Sequence, residues 1–172
     1  MYLPLTLANV AVAKARLSAR QRLDTDLLVL WQQGQGVVRL GKAYYRLNQG
    51  DLLWLPAGTL FALGAGDNSG YCGLWLSKRL GLLVPGRVGM INDTWCKESL
   101  NKAAQRSGDG QRLLLKALAQ ELTEIKPAAL GAALSWPVTG SLAALALIEA
   151  GRQGHHHPQS DIDPRPLTLT PV

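Results

Sequence analysis

LLVLWQQGQGVVRLGKAYYRLNQGDLLWLPAGTLF, residues 27–61, alternates short apolar runs with turn residues. Four apolar runs, Leu27 to Trp31, Val37 to Leu40, Tyr44 to Leu47 and Leu52 to Leu55, are rich in leucine, β-branched and aromatic residues. Turn chemistry separates them: Gly34-Gln35-Gly36, then Asn48-Gln49-Gly50-Asp51, then Pro56-Ala57-Gly58. Short runs of this kind, bounded by glycine, proline and asparagine, predict successive strands of a barrel or sandwich. The stretch holds no histidine; the chain's three are His155, His156 and His157.

Gly36, Gly50-Asp51 and the turn Pro56-Ala57-Gly58-Thr59-Leu60-Phe61 resemble, in this order, the landmarks of cupins. The variant this chain most resembles is the sensor domain of AraC-type transcription regulators. In metal-binding cupins a first motif supplies two histidines and a glutamate, and a second supplies the histidine that closes the site. Phe61 occupies that last position here, and the segment Leu23 to Leu30 offers Asp24 and Asp26 but no imidazole or thiol. A cupin metal set cannot be assembled from these groups, so no metal and no cofactor is expected, and a metallo-oxygenase or isomerase is set aside. The fold implied is mainly β with C-terminal helices. A cupin-like jelly-roll β-barrel is expected over 1–91, a helical dimerisation segment over 92–127, an additional helical segment over 128–154 and a flexible linker or tail over 155–172.

With 172 residues, 47% of them hydrophobic, the chain can bury a real core. Its formal charge of +6 permits an acidic partner. Lys14, Arg16, Arg20, Arg22, Arg39, Lys42, Lys78 and Arg79 are nevertheless scattered among segments, the pattern of a solvated basic surface. Cys72 and Cys96 lack CxxC spacing and read as free thiols in a reducing, cytoplasmic compartment. Residues Leu3 to Ala13 are apolar, and Ala11-Val12-Ala13 imitates a leader cleavage site. Pro4 and Asn9 interrupt the run and no basic residue precedes it, so it reads as a strand; no membrane partner is implied.

Gly64 to Gly70 reads as a hairpin-type connection, Tyr71 to Ser77 as a further strand, and the barrel should close near Val88 to Ile91. From Asn92 the period changes. Asp93 or Thr94 can cap a helix running through Ala104, and Gly108-Asp109-Gly110 breaks it. A second helix follows from Gln111 to Lys126, with Leu114, Leu118, Leu122 and Ile125 on one face and Pro127 as its stop. That stripe suits either packing on its own barrel or, as the resemblance implies, pairing with a second copy. Ser141 to Ala150 reads as a third helix, apolar almost all round, and 152–166 as a linker. Leu167-Thr168-Leu169-Thr170-Pro171-Val172 carries helix-start chemistry and resembles the opening of the DNA-binding domain of AraC-type regulators. The resemblance implies that DNA is contacted only through a C-terminal domain not present in this chain.

Little else in the sequence carries chemistry. Gly34-Gln35-Gly36 is not a phosphate loop, since Arg39 stands where a third glycine is needed and no helix follows. Gly64-Ala65-Gly66 fails the same test, because Gly70 falls one residue too far. Three consecutive histidines between Gly154 and Pro158 lack the support that fixes a metal ligand. Catalysis by a Ser-His-Asp or Cys-His pair would have to borrow one of them, which is poor preorganisation, so no enzyme is expected. Asp24 and Asp26 sit at strand spacing on what reads as a solvent-facing edge.

A barrel of this size either fills with side chains or holds one small ligand. Trp31, Arg39, Tyr44, Arg46, Trp54, Phe61, Tyr71 and Trp75 are the candidate ligand-binding residues, aromatic walls plus two cationic donors. The function expected is effector sensing and dimerisation in an AraC-like regulator, with a small organic effector, a homodimeric partner and no metal in the barrel. The alternative is a stand-alone cupin, either a metal-independent enzyme or a protein-interaction module.

Overall fold

The computed structural model describes residues 4–134. In chain order the strands are β1 (Leu5–Val12), β2 (Arg16–Leu17), β3 (Gln21–Arg22), β4 (Asp26–Gln33), β5 (Gly36–Leu40), β6 (Ala43–Leu47), β7 (Leu52–Leu55), β8 (Leu60–Ala65), β9 (Ser69–Leu76) and β10 (Gly89–Met90), followed by helices α1 (Thr94–Ala104) and α2 (Gly108–Leu122). They form two antiparallel sheets, one ordered β1-β9-β4-β7-β10 and the other β2-β8-β5-β6, with β3 also paired to β8. Leu167–Val172, the third helix and the histidine tract lie outside the described residues.

Strand alternation sends one set of side chains between the sheets and the other set outward. The inner set includes Leu27, Val29 and Trp31 of β4, Val38 of β5, Leu47 of β6, Leu53 and Leu55 of β7, Phe61 and Leu63 of β8, and Tyr71 and Trp75 of β9. Trp31 stacks on Tyr71 with ring centroids 5.2 Å apart. The register of β4 against β9 shifts between Trp31 and Gln33, and the Trp31 indole N–H donates to the Gly34 carbonyl at 3.1 Å. Gly36 lies beneath that indole, so close that a Cβ there would run into the ring. This cupin-landmark glycine is required by packing.

On the outer face of the first sheet, Leu28, Leu30, Leu52, Trp54, Cys72, Leu74 and Leu76 form a second apolar layer. Both helices cover it, through Cys96, Leu100 and Ala103 of α1 and Leu115, Leu118, Ala119 and Leu122 of α2. Each leucine buried there contributes about 1.5–3 kcal/mol. The Asp93 carboxylate caps α1 by accepting from the Cys96 N–H at 3.0 Å.

Three boundaries differ from the sequence reading. Gly108 opens α2 at φ 68°, a left-handed conformation open to glycine, so Gly108-Asp109-Gly110 forms the first turn instead of a break. The Gln111 side-chain amide spans the joint, donating to the carbonyls of Ala103 and Arg106 at 2.9 and 2.7 Å. Helix α2 also ends at Leu122, short of the proline, and the chain then returns to the barrel at Ala128. Finally, Gly64 and Ala65 complete β8, which leaves Gly66, Asp67 and Asn68 as the turn into β9.

After α2 the chain becomes a strap over 127–134. Met90 and Ala128 exchange two N–H···O bonds of 2.8 Å, extending the first sheet beyond β10. The Leu134 N–H then donates to the Tyr44 carbonyl of β6 at 2.7 Å. Strands β10 and β6 are the terminal strands of the two sheets, so the strap bridges the seam where the barrel would otherwise stand open. Gly89 permits this, since a Cβ there would lie 2.6 Å from Cβ of Pro127.

Candidate functional site

The eight residues singled out for ligand binding separate into three places. Trp31, Phe61, Tyr71 and Trp75 fill the space between the sheets, each 5% exposed or less. Their rings occupy the barrel interior at these levels. Burial pushes the Tyr71 hydroxyl above its ordinary range, and its oxygen has no hydrogen-bond partner among the described residues. Trp54 faces the opposite way, under the helices, its indole N–H donating to the Pro85 carbonyl at 2.8 Å.

Arg39, Tyr44 and Arg46 point outward from the second sheet. The register pairs Arg39 with Tyr44 and Val37 with Arg46, while the intervening Val38, Leu40, Tyr45 and Leu47 turn toward the core. The Arg39 guanidinium lies over the Tyr44 ring, 5.6 Å from its centroid, and its Nε donates to the Gly41 carbonyl at 3.0 Å. Burial raises the Tyr44 pKa, while the charges of Arg39 and Arg20 oppose that rise. Arg46 is exposed.

Asp26 does not lie on a solvent-facing edge as the sequence suggested; it is 2% exposed. Its carboxylate accepts from the Ala57 N–H at 2.8 Å and pairs with Lys78 Nζ at 2.9 Å, fixing the Pro56-Ala57-Gly58 turn to the end of β4. Among the described residues no group of three or more His, Cys, Asp or Glu is disposed to hold a metal ion. Phe61, at the cupin histidine position, is a core side chain.

The stripe on α2 is used within the protomer. Leu118 and Leu122 are fully buried against the first sheet, Leu114 and Ile125 are half-buried beside them, and Leu113 is left 67% exposed on another face.

Open space lies at the seam. A cavity of about 420 Å3 is lined by Leu40 and Tyr45 of the β5–β6 hairpin, Arg87 and Val88 ahead of β10, and Pro127, Ala129, Leu130, Gly131 and Ala133 of the strap. Val88 and Leu130 also touch the inner core. The sequence reading named none of these residues as ligand-binding. The available signal was Tyr45, which alternation places inward as soon as Tyr44 is placed outward. A second hollow of about 250 Å3 lies between Trp31, Gly50 and α1, where the Gln32 amide donates to the Asn101 side-chain oxygen at 3.3 Å.

Two apposed antiparallel sheets with helices stacked on one of them define the class: a cupin-like jelly-roll barrel with a C-terminal helical pair. Residues 13–84 match the family described as AraC-like ligand binding domain. The MmsAB operon regulatory protein of Pseudomonas aeruginosa is 35% identical over 80 residues, which is 44% of this chain and 26% of that protein. The match thus spans about a quarter of the relative's length. Among solved structures, apo ToxT of Vibrio cholerae aligns over 70% of this chain and 54% of its own, with a TM-score of 0.54 and 10% identity, a likeness of fold. A cupin superfamily protein of Desulfitobacterium hafniense aligns over 45% of this chain and 71% of its own, with a TM-score of 0.42 and 18% identity. Residues 13–84 are thus similar to an AraC-like ligand binding domain, and the fold around them is cupin-like. No helix among the described residues is long and apolar enough to cross a membrane.

Proposed function

We propose that this chain is the effector-sensing and dimerisation part of an AraC-like transcription regulator in the cytoplasm, and that it takes up a small organic molecule without a metal. The match of residues 13–84 to the AraC-like ligand binding domain carries the reading. The seam cavity supports it, because one wall is the strap that leaves α2, so occupancy there bears on the helical segment as well as the barrel. A ligand changes the regulator to the extent that it binds one barrel–strap arrangement better than another. DNA contact is assigned to residues other than 13–84, the segment that matches the ligand binding domain.

Burial supports a non-catalytic role. It pushes the Cys72 thiol up to about 12, and burial together with the Asp93 carboxylate pushes Cys96 up to about 12, which is the wrong direction for nucleophiles. A homodimer would form through the outward side of α2, where Leu113 and Ala117 are exposed, because Leu118 and Leu122 are already spent on the barrel. A thermal-shift screen of small metabolites, run beside sedimentation velocity, tests the proposal. A compound that raises Tm in a protein sedimenting as a dimer is the expected result. A monomer that responds to no compound overturns it.

A further inference from the structure

We infer that the seam cavity takes a small organic monocarboxylate with an apolar body, its carboxylate held by Arg87 and its body lying between Val88 and Leu130. The inference rests on the effector-sensing reading and names the chemical class of the ligand. Among the described residues Arg87 is the one charged group lining the cavity, and no carboxylate lines it. Arg87 is exposed at the rim, with no ion-pair partner among the described residues. A single planar guanidinium matches one carboxylate through two parallel hydrogen bonds. A dianion would leave its second charge facing apolar walls.

The remaining lining argues for the body of the ligand. Leu40, Val88, Pro127 and Leu130 are apolar, and Tyr45 offers a ring face with one hydroxyl. Pockets of this size commonly combine such walls with a few orienting polar groups.

The site is placed to be felt beyond the barrel. A body seated against Leu130 touches the strap between its two anchors, the Met90–Ala128 pair and the Leu134–Tyr44 bond. Occupancy therefore adds contacts to the strap in the position these bonds give it.

Isothermal titration of the full chain with benzoate and hexanoate, and with benzamide and hexanamide as neutral counterparts, tests the class. The acids should bind at least about tenfold more tightly than the amides, the usual worth of a charged hydrogen bond. Arg87→Gln should erase that difference while leaving amide affinity unchanged, and Ala133→Trp, from an exposed position, should block both. Equal binding of acid and amide, or an Arg87→Gln variant that keeps the full acid affinity, overturns the inference. If no acid binds but a metabolite from the screen raises Tm in the wild type and not in Ala133→Trp, the ligand class is wrong and the sensing function stands. If no compound binds at all, both fall.

Discussion

The two outer faces of this barrel are built from the same kind of strand and have opposite fates. On the first sheet, Leu28, Leu30, Leu52, Trp54, Cys72 and Leu74 project outward and disappear beneath α1 and α2. On the second, the outward positions are Val37, Arg39, Tyr44, Arg46 and Ala62, a mixed surface with a smaller apolar cluster around Ala15 and Leu17. A face that is apolar at every alternate position demands a partner, and here the chain supplies one from its own helices. The second face is covered in part as well, since Val37, Arg39 and Ala62 are buried and Leu134 packs on their cluster, while Arg46 stays exposed. The helical stripe is thus a structural necessity of the first sheet before it is anything else.

If that contrast is right, thiol chemistry should show it most strongly. Cys72 and Cys96 both lie in the helix-covered layer, and burial raises both to about 12 from 9.0. At pH 8 the folded protein should react with a disulfide reagent about a thousandfold more slowly than the urea-unfolded chain, as the thiolate fraction dictates. The sign of the pH dependence follows. Both groups are protonated in either state below pH 9.0, so stability is full there; between 9.0 and about 12 only the unfolded thiols ionise, and stability falls. Fast labelling in native buffer would show that the helices do not seal the face.

Leu118→Ala removes a fully buried side chain from the same layer and should cost about 3 kcal/mol in urea unfolding. A loss below about 1 kcal/mol, at the level of a surface site, would mean that α2 is only loosely docked. Tyr44→Phe tests the other face with the opposite sign. The Tyr44 hydroxyl is buried without a hydrogen-bond partner among the described residues, so deleting it should be neutral or stabilise by up to about 1 kcal/mol. Arg46→Ala, on an exposed side chain, should stay within about 0.5 kcal/mol in the same assay. A larger loss there would show that the second face is covered in solution.

Much of this was legible in the sequence, and the gaps have physical causes. The apolar runs over 27–55 became β4, β5, β6 and β7, because alternating leucine, valine and aromatic residues between turn glycines admit little else. Asp93 capped α1 as its chemistry required. The phase of the strands was harder to read. β4 is buried from Asp26 to Trp31 on both of its faces, so no polar residue marks which side meets the other sheet. β5 misleads further, since Arg39 is 7% exposed although it points away from the core. Two-residue strands such as β2 and β3 have no period to detect. The seam cavity was invisible for a similar reason: its walls come from three separated segments, and the strap follows from tertiary pairing at Met90 and Tyr44, for which Gly89 is the only local hint.

The pairing of β1 has a consequence in time. Residues 5–12 bond along their whole length to 69–76 and to no other strand among the described residues. During synthesis the first strand leaves the ribosome with no mate, and an apolar edge stays unsatisfied until more than sixty further residues have been added. Completion of the first sheet must therefore wait for β9, a non-local closure of the kind that slows folding and exposes edges to other chains. Any arrest of translation ahead of residue 69 should leave a sticky, incomplete sheet with its first strand unmated.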